Sequence, residues 1–169
     1  MKKIALLIAL AAATLAASAQ QARYQGQVDL GYSVGIGANG TGRVNLHTIH
    51  GARIGDYAYA GLGLGVDFYH QLKDDGTGWG ELMLPVFVDL KGYYPVNSHF
   101  APFIALDLGY STGLTKGVSS AGGFLCSPAV GVKHKRFQAQ VGYTSQHFSE
   151  QGSLGFTTGA CQLKLGLTF

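Results

Sequence analysis

The sequence predicts an all-β fold, an eight-stranded antiparallel up-and-down transmembrane β-barrel. Three observations favour this fold: apolar residues recur at every second position along most of the chain, charged residues make up only 12% of it, and short connections alternate with longer ones. A period of two is typical of strands with two different faces. Eight is an even number, as single-chain bacterial barrels require, and no segment of comparable length keeps the 3.6-residue apolar stripe of a helix.

Residues 1–19 form a separate N-terminal segment. Lys2 and Lys3 give it a cationic head, residues 4–17 are an uncharged and mostly apolar run, and residues 17–19 read Ala-Ser-Ala, an A-x-A cleavage site. This three-part pattern is typical of a secretory signal peptide. We therefore predict a signal peptide over 1–19, used by the Sec pathway, and a single outer-membrane β-barrel domain over 20–169.

Each of the first four predicted strands has an apolar face and a polar or glycine face. In chain order the apolar faces are Val28 to Ile36 in 27–36, Val44 and Leu46 in 42–52, alternate residues from Ala58 to Phe68 in 57–69, and alternate residues from Leu82 to Leu90 in 81–93. The opposite face of the third strand is a glycine stripe at Gly61, Gly63 and Gly65. Such a stripe suits a narrow lumen, because glycine relieves crowding there.

The last four predicted strands repeat the pattern. Their apolar faces are Ile104, Leu106 and Leu108 in 99–110, Phe124, Cys126, Val130 and Val132 in the less regular 122–133, alternate residues from Phe137 to Tyr143 in 136–146, and alternate residues from Cys161 to Phe169 at the C-terminus. Pro85, Pro102 and Pro128 fall inside predicted strands. Proline cannot donate to the ladder, so we expect bulges or strand ends there.

The connections between these strands alternate in length. In order they are 37–41, 53–56, 70–80, 94–98, 111–121, 134–135 and 147–155. The even-numbered ones are short and, from the third onward, the odd-numbered ones are long, as in barrels with short periplasmic turns and longer outer loops. The first outer loop is brief and contains Asn39-Gly40, a good tight-turn pair.

Alternation alone does not decide which face points inward, since a soluble lipocalin-type barrel keeps its apolar face inside. A soluble surface would carry roughly 25–35% charged residues, and this chain has too few. We therefore predict that the polar faces line the lumen, where charges of opposite sign can pair. The predicted lumen charges are Asp29, Arg43, Glu81, Asp89, Lys91, Asp107 and Lys164. A soluble periplasmic barrel that carries a small ligand remains an alternative.

Aromatic residues cluster near both ends of the predicted strands, as two membrane interfaces would select. The group near the short turns is Tyr57, Tyr59, Tyr93, Tyr94, Phe100, Phe103, Phe137 and Phe169. The group near the long loops is Phe68, Tyr69, Trp79, Tyr110, Phe124, Tyr143, Phe148 and Phe156. We expect these residues to form two aromatic girdles.

Four segments, 46–51, 57–66, 84–90 and 101–110, resemble those of small eight-stranded outer-membrane β-barrel proteins of the OmpA/OmpX type, and most of all the Bacteroidetes outer-membrane β-barrel family. The resemblance implies a location in a Gram-negative outer membrane and says almost nothing about activity. Prolines recur inside strands in this family. The terminal Leu163, Leu165, Leu167 and Phe169 look like the insertion signal that the barrel-assembly machinery reads.

Several motifs are better explained by structure than by chemistry. Residues 35–40 match G-x-G-x-x-G, but an alternating strand follows where a nucleotide site needs a helix. His47 and His50 fall on opposite faces of a strand, so they cannot share a metal. Cys126 and Cys161 lie on strands that are not neighbours, which excludes a disulfide. We expect no cofactor and no metal site.

Nucleic acid is not an expected partner. Removing Lys2 and Lys3 from the 12 Lys and Arg residues leaves 10 against 9 Asp and Glu, and a nucleic-acid binder needs a basic face. The expected partners are outer-membrane lipid and lipopolysaccharide, the assembly machinery during biogenesis, and an unknown extracellular ligand at the loops 70–80, 111–121 and 147–155.

One constellation supports a catalytic alternative. His147 and Ser149 share a strand face, as a general base and a nucleophile would. The His-x-Ser pattern resembles that of the outer-membrane lipid A deacylases, which implies ester cleavage by a Ser-His-Glu arrangement. No Asn follows Ser149, the last strand offers no Glu, and Glu150 falls on the opposite face. We therefore predict a non-enzymatic protein with a structural or surface-interaction role, and keep the hydrolase as the alternative.

Overall fold

The described residues of this computed structural model are 22–37, 42–70, 81–114, 122–148 and 156–169, without the side chains of Glu81, Phe148 and Phe156. They form eight strands: β1 Ala22–Ile36, β2 Gly42–Ile54, β3 Ala58–His70, β4 Glu81–Tyr93, β5 Phe100–Gly113, β6 Gly122–His134, β7 Phe137–Phe148 and β8 Phe156–Thr168. Within these ranges, no helix has the length and hydropathy of a transmembrane segment. The predicted signal peptide and cleavage site lie outside the described residues.

The eight strands form one closed antiparallel sheet. Each strand pairs with its neighbours in chain order, and β8 pairs with β1, so the sheet has no free edge. At the seam, Gly26 and Phe169 exchange two backbone hydrogen bonds of 2.8 and 2.9 Å. The fold predicted from the sequence is confirmed.

Several strands extend beyond their predicted ends. β1 begins at Ala22, which pairs with Ile54, and β5 continues to Gly113, which pairs with Met83. β7 and β8 meet at the pair Phe148 and Phe156. The sequence does not alternate cleanly in these extensions. Backbone hydrogen bonds to the neighbouring strand, which do not depend on side-chain polarity, hold them in the sheet.

The short turns gather at one end of the barrel, together with both termini of the described chain. The β2–β3 turn spans 55–57 and the β6–β7 turn spans 135–136. Gly55 has a φ of 58° and Lys135 one of 56°, the left-handed conformation that tight turns use. We call this end the short-turn end, and the other end, where β1, β3, β5 and β7 finish, the long-loop end.

The two faces of the barrel follow the predicted polarity. Leu30 and Leu62 are 58% and 67% exposed on the outer surface, and Leu165 faces outward with them. Asp29 and Lys91 point into the lumen and are only 2% and 4% exposed. The apolar face is therefore the outer face, and charged side chains are buried inside the barrel.

An apolar cluster occupies part of the interior. It consists of Ile49, Tyr59, Phe87, Tyr93, Ala101, Phe103 and Ala105. The glycine stripe of β3 makes room for its rings: a Cβ atom at Gly63 would lie 2.4 Å from the Phe87 ring, and one at Gly61 would lie 2.5 Å from the Tyr59 hydroxyl. The glycines therefore relieve crowding by leaving space for the Phe87 and Tyr59 side chains.

This interior packing corrects part of the aromatic prediction. Tyr59, Tyr69, Tyr93 and Phe103 are buried in the lumen and belong to neither girdle. The others that the structure describes are exposed: Tyr57, Tyr94, Phe100, Phe137 and Phe169 at the short-turn end, and Phe68, Tyr110, Phe124 and Tyr143 toward the long loops. Trp79 and the side chains of Phe148 and Phe156 lie outside the described part. Position along the strand sets the height of a residue, but strand phase decides its face.

The three strand prolines are accommodated without an extra residue. On the β3 side of Pro85, two cross-strand pairs are missing, yet the register is the same before and after the gap. The same is true on the β7 side of Pro128. Pro102 lies just beyond the last β4–β5 ladder pair. Pro102 is the third residue of β5 and stays paired with Val132 in β6, so the expected strand end is not found there. Pro85 and Pro128 make gaps in a ladder rather than the expected bulges.

Candidate functional site

The lumen contains most of the charge that the structure describes. Of the charges predicted from the sequence to lie there, six point inward and are buried: Asp29, Arg43, Asp89, Lys91, Asp107 and Lys164. Glu81 begins β4, and its side chain is outside the described part. Asp67, which is not among the predicted lumen charges, also points inward and is 0% exposed. Its position, in phase with Gly61, Gly63 and Gly65, would have placed it in the lumen.

Arg43 is the centre of a network in the half of the lumen nearer the long loops. Its guanidinium donates to Thr144 Oγ1 at 2.6 Å, to Gln146 Oε1 at 3.0 Å and to Ser33 Oγ at 3.4 Å. It also donates to the hydroxyl of Tyr69, over whose ring it lies. Residues from β1, β3 and β7 thus hold one buried cation of β2.

Asp67 supplies the negative charge of this network. Its Oδ1 accepts a hydrogen bond from Asn45 Nδ2 at 2.6 Å and lies 2.8 Å from His47 Nε2. Its Oδ2 lies 3.5 Å from Arg43 Nη1. Because the pair is almost inaccessible to water, each charge depends on the other for compensation. We call Arg43, Asn45, His47 and Asp67 the Asp67 cluster.

A second network lies in the half of the lumen nearer the short turns. Lys91 Nζ donates to Asp89 Oδ2 at 2.7 Å and to Gln27 Oε1 at 2.8 Å. Gln27 also donates to Asp29 at 2.9 Å. The Lys91 ammonium lies 5.5 Å from the centre of the Tyr59 ring, within range of a cation–π interaction. A separate pair joins Lys164 Nζ to Asp107 Oδ2 at 2.8 Å.

These contacts cross the lumen. Arg43 in β2 reaches Thr144 in β7, Lys91 in β4 reaches Gln27 in β1, and Lys164 in β8 reaches Asp107 in β5. Each pair joins strands that are not neighbours in the sheet. An eight-stranded interior is just wide enough for side chains to fill it, and here they connect its opposite walls.

The other candidate residues are not brought together. His47 points inward and His50 outward, as their spacing predicted, and nowhere in the described ranges do three or more metal-ligating side chains converge. Cys126 and Cys161 are free thiols on β6 and β8. The arrangement of the lumen suits structural ion pairing, since each lumen lysine has a carboxylate within 2.8 Å.

His147 lies at the long-loop end of β7 and is exposed. Its Nδ1 is 3.0 Å from the hydroxyl of Thr157 in β8. Ser149 and Glu150, the other members of the predicted catalytic group, lie outside the described residues. The observed partner of His147 is thus a hydroxyl, where a Ser-His-Glu arrangement would place a carboxylate.

The proposed insertion signal lies on the outer face of the last strand. Leu163, Leu165, Leu167 and Phe169 all point outward and are exposed. Their alternation with Gln162, Lys164, Gly166 and Thr168, which point inward, makes β8 one of the most regular two-faced strands in the barrel.

The geometry is similar to that of three solved outer-membrane barrels. Neisserial surface protein A has a TM-score of 0.61 and 13% identity, with 88% of this chain and 99% of that chain covered. The outer membrane enzyme PagL has 0.59 and 13%, covering 83% and 98%. The N-terminal β-barrel domain of Pseudomonas aeruginosa OprF has 0.55 and 12%, covering 88% and 100%.

No protein-family model matches the chain, and no curated protein matches its sequence significantly. The structural matches include a surface protein and an enzyme, so the shared fold does not by itself assign an activity. What they share with this chain is the closed eight-stranded antiparallel barrel of outer-membrane proteins.

Proposed function

We propose that this chain is an integral outer-membrane β-barrel protein of a Gram-negative bacterium, non-enzymatic, with a structural or surface-interaction role. One observation supports this most strongly: the outer face is apolar and the buried interior is charged. Lipid cannot hydrogen-bond a bare strand edge, and closure leaves none. The strands are also long enough to span, since a transmembrane strand needs about 9–11 residues and the shortest here has 12.

The finer features of the proposal rest on the sequence. A Sec-type signal over 1–19, the resemblance to the OmpA/OmpX type and the Bacteroidetes family, and the terminal Phe169 all favour export and insertion by the barrel-assembly machinery. The apolar outer face suits the acyl chains of outer-membrane lipid and lipopolysaccharide. An extracellular ligand would meet the loops 70–80, 111–121 and 147–155, although β5 and β7 extend into the last two as far as Gly113 and Phe148.

The soluble ligand-carrying barrel is less well supported. Such a barrel needs an apolar interior and a charged exterior. Here Val34, Leu64 and Ile104 are more than half exposed, whereas Asp89 is completely buried. A water-soluble protein would have to keep this continuous apolar surface hydrated, and exposed patches of that size mark membrane or partner surfaces.

Cell fractionation combined with heat-dependent gel mobility tests the location. We expect the protein in the outer-membrane fraction, running faster on SDS gels when unheated because the closed barrel resists the detergent. A periplasmic marker protein processed in parallel is the control. Recovery of the protein with that marker, at one mobility regardless of heating, would contradict the proposal.

The hydrolase is the second candidate, and the outward position of His147 at the long-loop end is the observation that favours it. It predicts loss of an acyl chain from lipid A. We expect instead that mass spectra of lipid A are identical with and without the protein, because His147 contacts Thr157 and has no described carboxylate partner. The control is His147→Ala. A deacylated species that appears with the natural protein and disappears with the variant would establish the enzyme.

A further inference from the structure

A basic cavity opens at the short-turn end of the barrel. It has a volume of about 450 Å³, and its charged and titratable lining residues are Arg23, Arg53, Asp56, His99, Lys133 and Lys135. Asp56 is the sole carboxylate side chain in this lining. Four cationic side chains therefore surround one small opening, whereas the buried charges of the lumen are three cations and four carboxylates.

None of these cations is neutralised by an ion pair within the described residues. The ion pairs found there involve Arg43, His47, Lys91 and Lys164, all inside the lumen. Arg53 donates instead to the carbonyl oxygens of Gly55 and Asp56, at 3.3 and 3.1 Å. Lys133 Nζ donates to the side-chain oxygen of Gln25 at 3.1 Å. These neutral partners orient the two cations and leave their charge uncompensated.

The Tyr93 ring holds two of the cations near each other. The guanidinium carbon of Arg53 lies 4.6 Å from the ring centre and Nζ of Lys133 lies 5.7 Å from it. Both distances permit a cation–π interaction. Two like charges held beside one buried ring repel each other, and a bound anion would relieve that repulsion.

The chemistry of the lining points to a phosphate group. A guanidinium fork with several N–H donors matches phosphate oxygens, and ammonium groups bind phosphate as point charges. A single planar carboxylate would accept from only some of these N–H donors. We propose that this basic cavity is a binding site for a phosphate group, contributed by a lipid headgroup or by free phosphate.

An apolar groove on the outer face lies at the same end of the barrel. It has a volume of about 810 Å³, and Tyr94, Pro102, Ile104, Val130 and Val132 contribute to its lining. The neighbouring residues Ala101 and Lys133 line the basic cavity. A lipid whose acyl chain lay in this groove would have its headgroup close to the rim, beside Lys135 and His99.

Backbone amide chemical shifts of the protein in phosphate-free maltoside micelles test the site. The probes are inorganic phosphate, short-chain phosphatidylglycerol and, as a singly charged planar anion, acetate. We expect saturable shifts confined to residues 53–56, 97–101 and 133–135 with phosphate, phosphatidylglycerol or both, and at least tenfold weaker binding of acetate. Saturation by the lipid alone identifies a headgroup site, and saturation by inorganic phosphate alone identifies a site for the free ion.

The variant that removes the site is Arg53→Gln combined with Lys133→Gln, for which we expect at least tenfold weaker binding. Arg136→Gln is the control. It removes one cation from the β6–β7 turn, next to Lys135, and Arg136 does not line the basic cavity. Heat-dependent mobility checks that each variant is folded, and Lys135→Gln provides a second, solvent-exposed test if the double variant does not fold. Absence of saturable shifts with both phosphate probes, equal binding of acetate, or equal loss in Arg136→Gln would overturn the proposal.

Discussion

Replacing Asp67 with alanine is expected to lower the free energy of unfolding by about 3–5 kcal/mol, the usual effect of removing one partner from a buried ion pair. The carboxylate of Asp67 contacts Arg43, Asn45 and His47 at once. Without it, the buried Arg43 guanidinium keeps only neutral partners. The measurement is urea unfolding of the protein in lipid vesicles. The readout is the fraction of protein that keeps the electrophoretic mobility of the folded barrel.

The matched control is Asp56→Ala, which removes the same group from an exposed turn. A surface change of this kind is expected to shift stability by no more than about 0.5 kcal/mol. Asp67→Asn separates charge from shape, because it keeps the volume and one acceptor oxygen, and it should fall between the two. Equal stabilities of the Asp67→Ala and Asp56→Ala proteins would show that the Asp67 cluster does not stabilise the barrel.

The second large effect is expected on the outer face. Leu30 lies next to the centre of β1, points outward, and pairs with Leu46 in β2 and Leu165 in β8. Leu30→Arg puts a charge among acyl chains near the bilayer midplane, where arginine costs about 2–4 kcal/mol. The same vesicle unfolding experiment measures this loss.

Tyr57→Arg controls for the chemistry of the substituted side chain. Tyr57 lies in the β2–β3 turn and is 69% exposed, at the level where an interface would be. The cost of arginine falls to about 0–1 kcal/mol near the interface. A water-soluble barrel would tolerate both substitutions equally, so similar stabilities of the two variants would contradict a membrane-spanning orientation.

The strands and their faces could be predicted from the sequence because successive side chains on a strand point to opposite sides. Once the polar side of one strand was placed inside, the phase of the pattern placed Asp29, Lys91 and Lys164 there as well. The same rule would have placed Asp67 in the lumen. It also explains why the prediction that Tyr59 and Tyr93 belong to a girdle is wrong: closeness to a turn sets only the height of a side chain, and strand phase turns these two inward.

Strand phase does not determine which lumen groups meet. Arg43 and Thr144 are contributed by β2 and β7, and Lys164 and Asp107 by β8 and β5. Such contacts depend on the tilt and stagger that closing the sheet imposes, so the sequence alone could not predict them. The sequence alone could not predict the basic cavity either, since Arg23, Arg53 and Lys133 are far apart in the chain.

For this protein, the sequence by itself determined the number of strands, their order and the side of the wall on which most residues lie, because those properties follow from a local period of two. Only the tertiary structure decided the partners of the buried charges, the glycine-lined space for Tyr59 and Phe87, and the grouping of cations at the short-turn end. These features depend on distances across a closed barrel, and a local sequence pattern does not determine such distances.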